Sequence, residues 1–382
     1  MSADFQTPFT QLFGMYYTQD KPHSATHCVL LEIQIPLLVP PMAGVSGGAL
    51  AAAASNEGGF GYIAAGSYPF FILLTGSYTS RLGYRTPESL LHELDLAKEL
   101  LQRQDPAAKL PIGVGYFGWE LDKDPSKATQ MLQSALNSNV QSIWLSFGND
   151  LRPYVEFIRK ADAPRETHSR KTLIAIQVSS SAEALTAVNE LNADVVIVQG
   201  TLLSRHTNLR PQPLTGNESG GHGSSKSPAV RTLLAEVLAA LPPGHPPILA
   251  AGGLGSGRDI VEIITTHGAD GVVMGTRFLA TTESLYPEAK KARICEAKAE
   301  DTVRSLAFDF ARGTTDWPKD IDGRGLRNQS VEDYDTGVDY QRLRAAYDQA
   351  VPTKDFNRLE VWAGTGVGHV TKIVSVRVSF HL

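Results

Sequence analysis

The segment Glu218-Ser219-Gly220-Gly221-His222-Gly223 combines the residue types that an active-site loop needs. Glycines occupy three of its last four positions, and they let a flat ligand approach the backbone because no side chain blocks it. An imidazole titrates near neutral pH, so His222 can accept or release a proton. The loop lies downstream of the strand-like run 194–200, which favours an active-site loop over the alternative, a flexible surface loop with an incidental histidine.

Two glutamines, Gln177 and Gln199, stand inside otherwise apolar strand-like runs. Either side chain is suited to hydrogen-bond the ring edge of a cofactor. The alternative is a glutamine that is satisfied within the protein core. Because glutamine is seldom buried, we interpret both as ligand-binding residues.

Eight short apolar runs alternate with helical patterns, which predicts a parallel sheet buried on both faces. Eight such units over about 250 residues favour an α/β fold of the closed (β/α)8 TIM-barrel type, with a doubly wound sheet as the alternative. The strands are predicted at 37–42, 61–65, 111–117, 142–147, 173–178, 195–199, 248–251 and 271–274.

Three regions are predicted to make up the chain. Residues 1–27 have no clear periodicity and are interpreted as an N-terminal arm. Residues 28–280 and 359–382 are assigned to the barrel. Residues 281–358 lack strand patterns and are predicted to form a small helical subdomain, inserted after strand eight as a substrate or lid unit, with one of its helices over 302–310.

Chemistry in such a barrel takes place on the loops that follow the strands. Strands seven and eight are followed by Gly252-Gly253 and by Gly275-Thr276, and this is the usual phosphate site of TIM barrels. Backbone N–H groups at a helix N-terminus bind an anion without needing a lysine. We therefore predict that Gly253, Gly275 and Thr276 bind a phosphate. The alternative is tight strand-to-helix packing, which also favours glycine.

Composition excludes several classes of function. The 382 residues are 42% hydrophobic and 20% charged with a net charge of −5, which gives no reason to expect nucleic acid or a membrane as a partner. No run approaches the ~18 apolar residues of a membrane span, and no signal peptide is evident.

The only cysteines, Cys28 and Cys295, are far apart, so we expect a reducing, cytoplasmic location. No cluster has metal-ligand spacing, so no metal is expected. The densest basic cluster, Lys290, Lys291 and Arg293, is predicted to be a solvated helix face.

Several of these stretches together resemble the nitronate monooxygenase (2-nitropropane dioxygenase) family. The resemblance extends from about residue 35 to 370 with every motif in family order. The matching stretches are 41–46, 54–61, 198–200, 218–222, 250–253, 273–278, 317–318, 323–328 and 362–368.

Members of that family are FMN-dependent TIM barrels, so the resemblance implies an FMN-dependent oxidoreductase that oxidises alkyl nitronates, or a related small acidic C–H substrate, with O2. His222 would be the general base that removes the α-proton of a nitroalkane. By the same resemblance, the cofactor-binding residues fall into two groups. Met42, Ala43, Gly44, Gln177, Gln199, Gly220 and Gly221 would contact the flavin ring, and Gly252, Gly253, Met274, Gly275 and Thr276 would hold the ribityl chain and phosphate.

Three departures from the family pattern leave the substrate open. Gly115 stands where the motif usually has Asn, residues 201–217 intervene where the family passes almost directly to the Glu-x-Gly-Gly-His turn, and the arm 1–27 is extra. The alternatives are an NAD(P)H-dependent flavin reductase of the enoyl reductase or quinone reductase type, and a flavin-binding protein that has diverged to a specialised biosynthetic role. The partners expected are a small-molecule substrate and O2. The sequence leaves the oligomeric state open and is compatible with a homodimer.

Overall fold

A computed structural model describes residues 35–65, 68–74, 77–83, 86–102, 108–163, 171–200 and 218–381. The predicted N-terminal arm, Cys28 and the insertion at 201–217 lie outside these residues. Within the described ranges, none of the helices has both the length and the apolar character needed to cross a membrane.

Eight of the described strands close into a parallel barrel in the order β1-β2-β5-β6-β7-β8-β10-β11. The barrel closes through pairing of Leu38 with Val273. All eight were predicted from their apolar runs, so the TIM-barrel prediction is confirmed. The strands are β1 (Leu37–Val39), β2 (Phe60–Ala64), β3 (Tyr68–Leu74), β4 (Ser77–Gly83), β5 (Leu110–Phe117), β6 (Val140–Ser146), β7 (Leu173–Val178), β8 (Val195–Gln199), β9 (Gly221–Ser224), β10 (Ile248–Ala251), β11 (Gly271–Val273), β12 (Thr302–Ser305) and β13 (Ile321–Leu326).

Helices cover the outside of the barrel, and several of them begin at a side-chain cap. Ser256 and Asp259 form a reciprocal capping box at the start of α8, which satisfies backbone donors that the helix itself leaves unpaired. The helices are α1 (Gly48–Asn56), α2 (Pro87–Leu100), α3 (Gly118–Lys123), α4 (Pro125–Asn137), α5 (Arg152–Asp162), α6 (Ser181–Asn189), α7 (Val230–Ala240), α8 (Gly257–Thr265), α9 (Thr276–Leu279), α10 (Glu288–Glu296), α11 (Ala307–Arg312), α12 (Gln329–Asp335), α13 (Tyr340–Thr353) and α14 (Val376–Phe380).

The barrel interior is filled by aromatic rings where small residues leave room for them. The Tyr62 ring packs edge-on to Trp144, with 5.2 Å between centroids, and its hydroxyl lies 2.8 Å from Ser142 Oγ. A Cβ at Gly113 would lie 2.2 Å from the Tyr62 ring, so this glycine is required by the ring. Packing inside the barrel therefore depends on small residues such as Gly113 standing beside large rings such as Tyr62.

Gly115, the position where the family motif has Asn, faces Pro41 from the loop after β1. A Cβ at Gly115 would lie 2.2 Å from Pro41 Cγ, closer than atoms can approach. We expect Gly115→Asn to lower the free energy of unfolding by about 1–3 kcal/mol, as overpacking of a core does. Urea unfolding measures the effect.

The matched control for this variant is Gly368→Asn. Gly368 is not among the glycines with positive φ, and a Cβ placed there would have no described atom closer than 3.9 Å. This control should change stability much less. Equal stability of Gly115→Asn and the wild type would show that Pro41 moves aside without cost.

A second unit follows the barrel and differs in part from its prediction. Residues 281–358 do contain helices α10 to α13, but they also contain β12 and β13, which pair antiparallel with β9 in a three-stranded sheet. The helix predicted over 302–310 was wrong in its first half, because Thr302–Ser305 is a strand and the helix begins at Ala307. Tertiary pairing overrides local propensity here.

The basic cluster Lys290, Lys291 and Arg293 was predicted to be a solvated helix face, and this is wrong for its two lysines. Lys291 is buried and its ammonium lies 2.7 Å from Glu288. Lys290 points inward to Glu360, with 3.0 Å between Nζ and Oε1. For Lys290 the reason is that Glu360 is a largely buried carboxylate, which needs cationic partners.

Candidate functional site

A cavity opens at the carboxyl ends of the barrel strands and has an empty volume of about 1090 Å³, part of it open to solvent. Its lining is mainly glycine, apolar and aromatic residues with a few polar groups, as is usual for cofactor sites. The lining residues used below are Met42, Ala43, Phe117, Phe147, Gln177, Gln199, Ser219, Gly220, Gly221, His222, Gly252, Gly253, Gly275, Thr276 and Trp362.

His222 is placed by a strand rather than by a free loop. It belongs to β9, where it lies directly opposite Gly323 of β13. A Cβ at Gly323 would lie 2.5 Å from the Trp362 ring, so the glycine makes room for this tryptophan beside the imidazole. Backbone pairing therefore fixes the position of the histidine, and the ladder includes residues on both sides of it.

The imidazole is held by one carboxylate and two indoles. His222 Nε2 lies 3.0 Å from each oxygen of Asp309. Trp317 stacks on the ring with 3.7 Å between centroids and 13° between planes, and Trp362 lies 5.0 Å away. The His222 side chain is 11% exposed and that of Asp309 is 3% exposed. The sequence interpretation missed Asp309, Trp317 and Trp362 as site residues.

The two glutamines form one chain of hydrogen bonds that ends on the histidine loop. Gln177 Nε2 donates to Gln199 Oε1 at 2.8 Å, and Gln199 Nε2 donates to Ser219 Oγ at 2.9 Å and to the His222 carbonyl at 3.2 Å. Both glutamines line the cavity, as predicted. The Gln199 amide is therefore hydrogen-bonded on both sides and links Gln177 to the histidine loop.

The loops after β10 and β11 offer backbone donors to the cavity. In the described part of the chain, the N–H groups of Gly252, Gly253 and Gly275 make no hydrogen bond. Gly252 and Gly253 have φ values of +117° and +71°, which favour glycine. Unpaired backbone N–H groups are rare in proteins unless water or a ligand satisfies them. Gly275 precedes Thr276, the first residue of α9, and the arrangement suits an anion.

The C-terminal segment packs against the histidine loop. Thr365 N–H donates to the Glu218 carbonyl at 2.9 Å, and Gly364 N–H donates to Thr276 Oγ1 at 2.9 Å. A Cβ at Gly220 would lie 2.4 Å from Gly364 N. The loop, the predicted phosphate region and the C-terminal segment thus meet at one place.

Most of the predicted site residues therefore come together. His222, Met42, Ala43, both glutamines, the glycine pairs and Thr276 all line one cavity. Gly44 and Met274 do not line it. Gly44 lies in the turn after β1 with φ +72°, and Met274 is buried in the core. Among the described residues, no group of three or more His, Cys, Asp or Glu side chains could hold a metal ion.

Comparison with known proteins identifies the family. The family model for nitronate monooxygenase matches residues 25–378, which is nearly the whole chain. The chain belongs to the nitronate monooxygenase family. This is a family of oxidoreductase enzymes, and the resemblance seen in the sequence motifs is confirmed.

Two curated relatives in the family are fungal. Nitronate monooxygenase npaC of Metarhizium robertsii is 30% identical over 357 residues, covering 88% of this chain and 87% of that protein. A nitronate monooxygenase of Neurospora crassa is 29% identical over 347 residues, covering 87% of this chain and 83% of that protein. Among solved structures, nitroalkane oxidase from Streptomyces ansochromogenes aligns with a TM-score of 0.65 at 23% identity, over 91% of this chain and 94% of the other. The structural likeness shows a shared fold.

Proposed function

We propose that this protein is an FMN-dependent oxidoreductase that oxidises alkyl nitronates, or a related small acidic C–H substrate, with O2. The observation that carries the proposal is the position of His222, which lines the same cavity as the unpaired N–H groups of Gly252, Gly253 and Gly275. A proton acceptor and a group of N–H donors suited to an anion thus line the same cavity. Membership of the nitronate monooxygenase family supports the proposal.

The residues present fit FMN. Gly252, Gly253, Gly275 and Thr276 would hold its phosphate through backbone N–H groups, which need no lysine or arginine. Met42, Ala43, Gln177, Gly220 and Gly221 would line the ring. When bound, FMN would accept the electrons of the substrate and pass them to O2.

The chain itself supplies binding, orientation and a proton acceptor. His222 takes the α-proton of a neutral nitroalkane, the C–H bond breaks, and its electron pair moves into the nitro group to give the nitronate. Phe117, Phe147 and Trp362 surround this position with apolar surface, which limits water near the reacting carbon.

The deciding experiment begins with the purified protein, which should be yellow and release FMN on denaturation. Its absorbance is then followed anaerobically with nitronate, NADH and NADPH in parallel. Rapid bleaching by nitronate and slow bleaching by both nucleotides is the expected result. A colourless protein that takes up no added FMN would refute the proposal.

A second candidate is an NAD(P)H-dependent flavin reductase. The observation that bears on it is a second cleft, which adjoins the cavity through Phe147 and Gln177. Three cations line that cleft, but four carboxylates line it as well, so its charge does not favour the phosphates of a pyridine nucleotide. Fast bleaching by NADH or NADPH in the same experiment would select this candidate.

A further inference from the structure

We propose that Asp309 is the positioning residue for His222, holding its imidazole so that Nδ1 is the atom that accepts the substrate proton. The proton transfer in this inference rests on the proposed function. The orientation of the imidazole rests on the geometry alone.

The contact between the two residues joins distant parts of the chain. Asp309 lies on α11, 87 positions from His222, and both of its oxygens are 3.0 Å from Nε2. An ionised carboxylate can only accept hydrogen bonds, so the ring nitrogen that faces it must carry a proton. Nε2 therefore carries the proton in the neutral ring, and Nδ1 carries the lone pair. In the described part of the chain, no hydrogen bond to Nδ1 competes for that lone pair.

The carboxylate is kept ionised by its surroundings. Burial acts to raise the pKa of Asp309, but the neighbouring His222 and Arg312 together with a hydrogen bond from Thr314 outweigh burial and hold the pKa below its usual value. Thr314 Oγ1 donates to Asp309 Oδ1 at 2.8 Å. The Thr314 N–H also donates to the Asp309 carbonyl at 2.9 Å, so the turn after α11 and the carboxylate form one unit.

The two indoles prevent the ring from turning away. Trp317 covers one face of the imidazole, and Trp362 stands beside it. Phe117 and Phe147 pack on Trp317 with centroid distances of 5.3 and 5.8 Å. With Nε2 bound to Asp309 and one face stacked on Trp317, the ring leaves Nδ1 as its nitrogen without a described partner. When Nδ1 takes a proton, the adjacent anion stabilises the resulting imidazolium.

The test compares Asp309→Asn with Asp316→Asn, which makes the same chemical change at an exposed carboxylate in the segment that follows α11. With Asp309→Asn, we expect turnover of neutral nitroalkane to fall ~10²-fold or more, the usual share of general base catalysis. Turnover of pre-formed nitronate should change little, because its proton is already gone. Asp316→Asn should match the wild type on both substrates.

A spectroscopic readout separates positioning from general damage. Protein labelled with 15N-histidine, with the His222 signal assigned from a His222→Gln spectrum, should show the Nε2–H form of His222 in the wild type and in Asp316→Asn. Asp309→Asn should show a mixture of both tautomers. If Asp309→Asn does not fold, Thr314→Val provides a milder change and should move both readouts in the same direction.

Two results would overturn the inference. One is an unchanged His222 tautomer in Asp309→Asn, and the other is an equal loss on nitroalkane and nitronate while FMN is retained. A wild-type protein that turns over no nitroalkane would refute the proposed function instead, and the tautomer comparison would then decide the role of Asp309 alone.

Discussion

Under the proposed function, replacing His222 with alanine is expected to abolish most turnover of neutral nitroalkane while FMN binding is retained. The loss should be ~10²–10⁴-fold, the range attributed to general acid–base catalysis. The cofactor should stay because its predicted contacts come from other residues, chiefly the backbone of Gly252, Gly253 and Gly275. Steady-state rates and the FMN content per protein chain measure the two effects.

Pre-formed nitronate provides the internal control, since it needs no base. His222→Ala should keep substantially more of its rate on nitronate than on nitroalkane. His267, in the turn after α8 beside Glu262, offers a matched histidine away from the cavity, and His267→Ala should behave as the wild type. Equal losses of His222→Ala on both substrates would remove the general-base assignment.

Replacing Glu360 with alanine is expected to lower the free energy of unfolding by about 3–5 kcal/mol, the cost of leaving buried charges unpaired. Glu360 is 12% exposed and lies 3.0 Å from Lys290 and 3.9 Å from Arg312. Both cations would lose their partner. Denaturant unfolding of the two proteins measures the difference.

The control for Glu360→Ala is Asp348→Ala in α13, which removes a carboxylate 43% exposed from its pair with Arg344. An exposed pair four residues apart contributes only about 0.2–0.5 kcal/mol. If both variants lost the same small amount, the Glu360 pairs would be contributing no more than a surface pair.

The contribution of Glu360 to the stability of the wild-type protein should be lost at low pH. Burial acts to raise the pKa of Glu360, but Lys290, Arg312 and Tyr347 lower it from 4.5 to about 2. Its contribution to stability is therefore complete above pH 4.5 and is lost as the pH falls toward 2. Glu360→Ala should lack this component, so its stability should fall less steeply with acid over that interval.

The barrel strands could be predicted from sequence because they are short, mainly apolar runs separated by helical patterns. Closure into a barrel was inferred from the count of eight such runs rather than from the local pattern. The loop glycines and His222 were found because they follow those strands. The residues predicted to contact a flavin were then expected to lie together, and all but Gly44 and Met274 line one cavity.

The three-stranded sheet could not be predicted in the same way. β9, β12 and β13 read Gly-His-Gly-Ser, Thr-Val-Arg-Ser and Ile-Asp-Gly-Arg-Gly-Leu, with neither an apolar run nor regular alternation. Their strand conformation depends on pairing between distant segments. Asp309 was missed for the same reason, although one signal was present. It is a lone acid between Phe308 and Phe310, and an acid in an apolar run suggests a buried partner.

The pairing of β9 with β13 also bears on the insertion at 201–217. Because the ladder holds His222 in register from Gly221 onward, the length of chain between Gly200 and Glu218 does not determine where the imidazole stands. Closing a longer loop adds only a small entropic cost, about 0.6 kcal/mol for each doubling. The insertion at 201–217 is therefore compatible with an imidazole that keeps its place against Asp309.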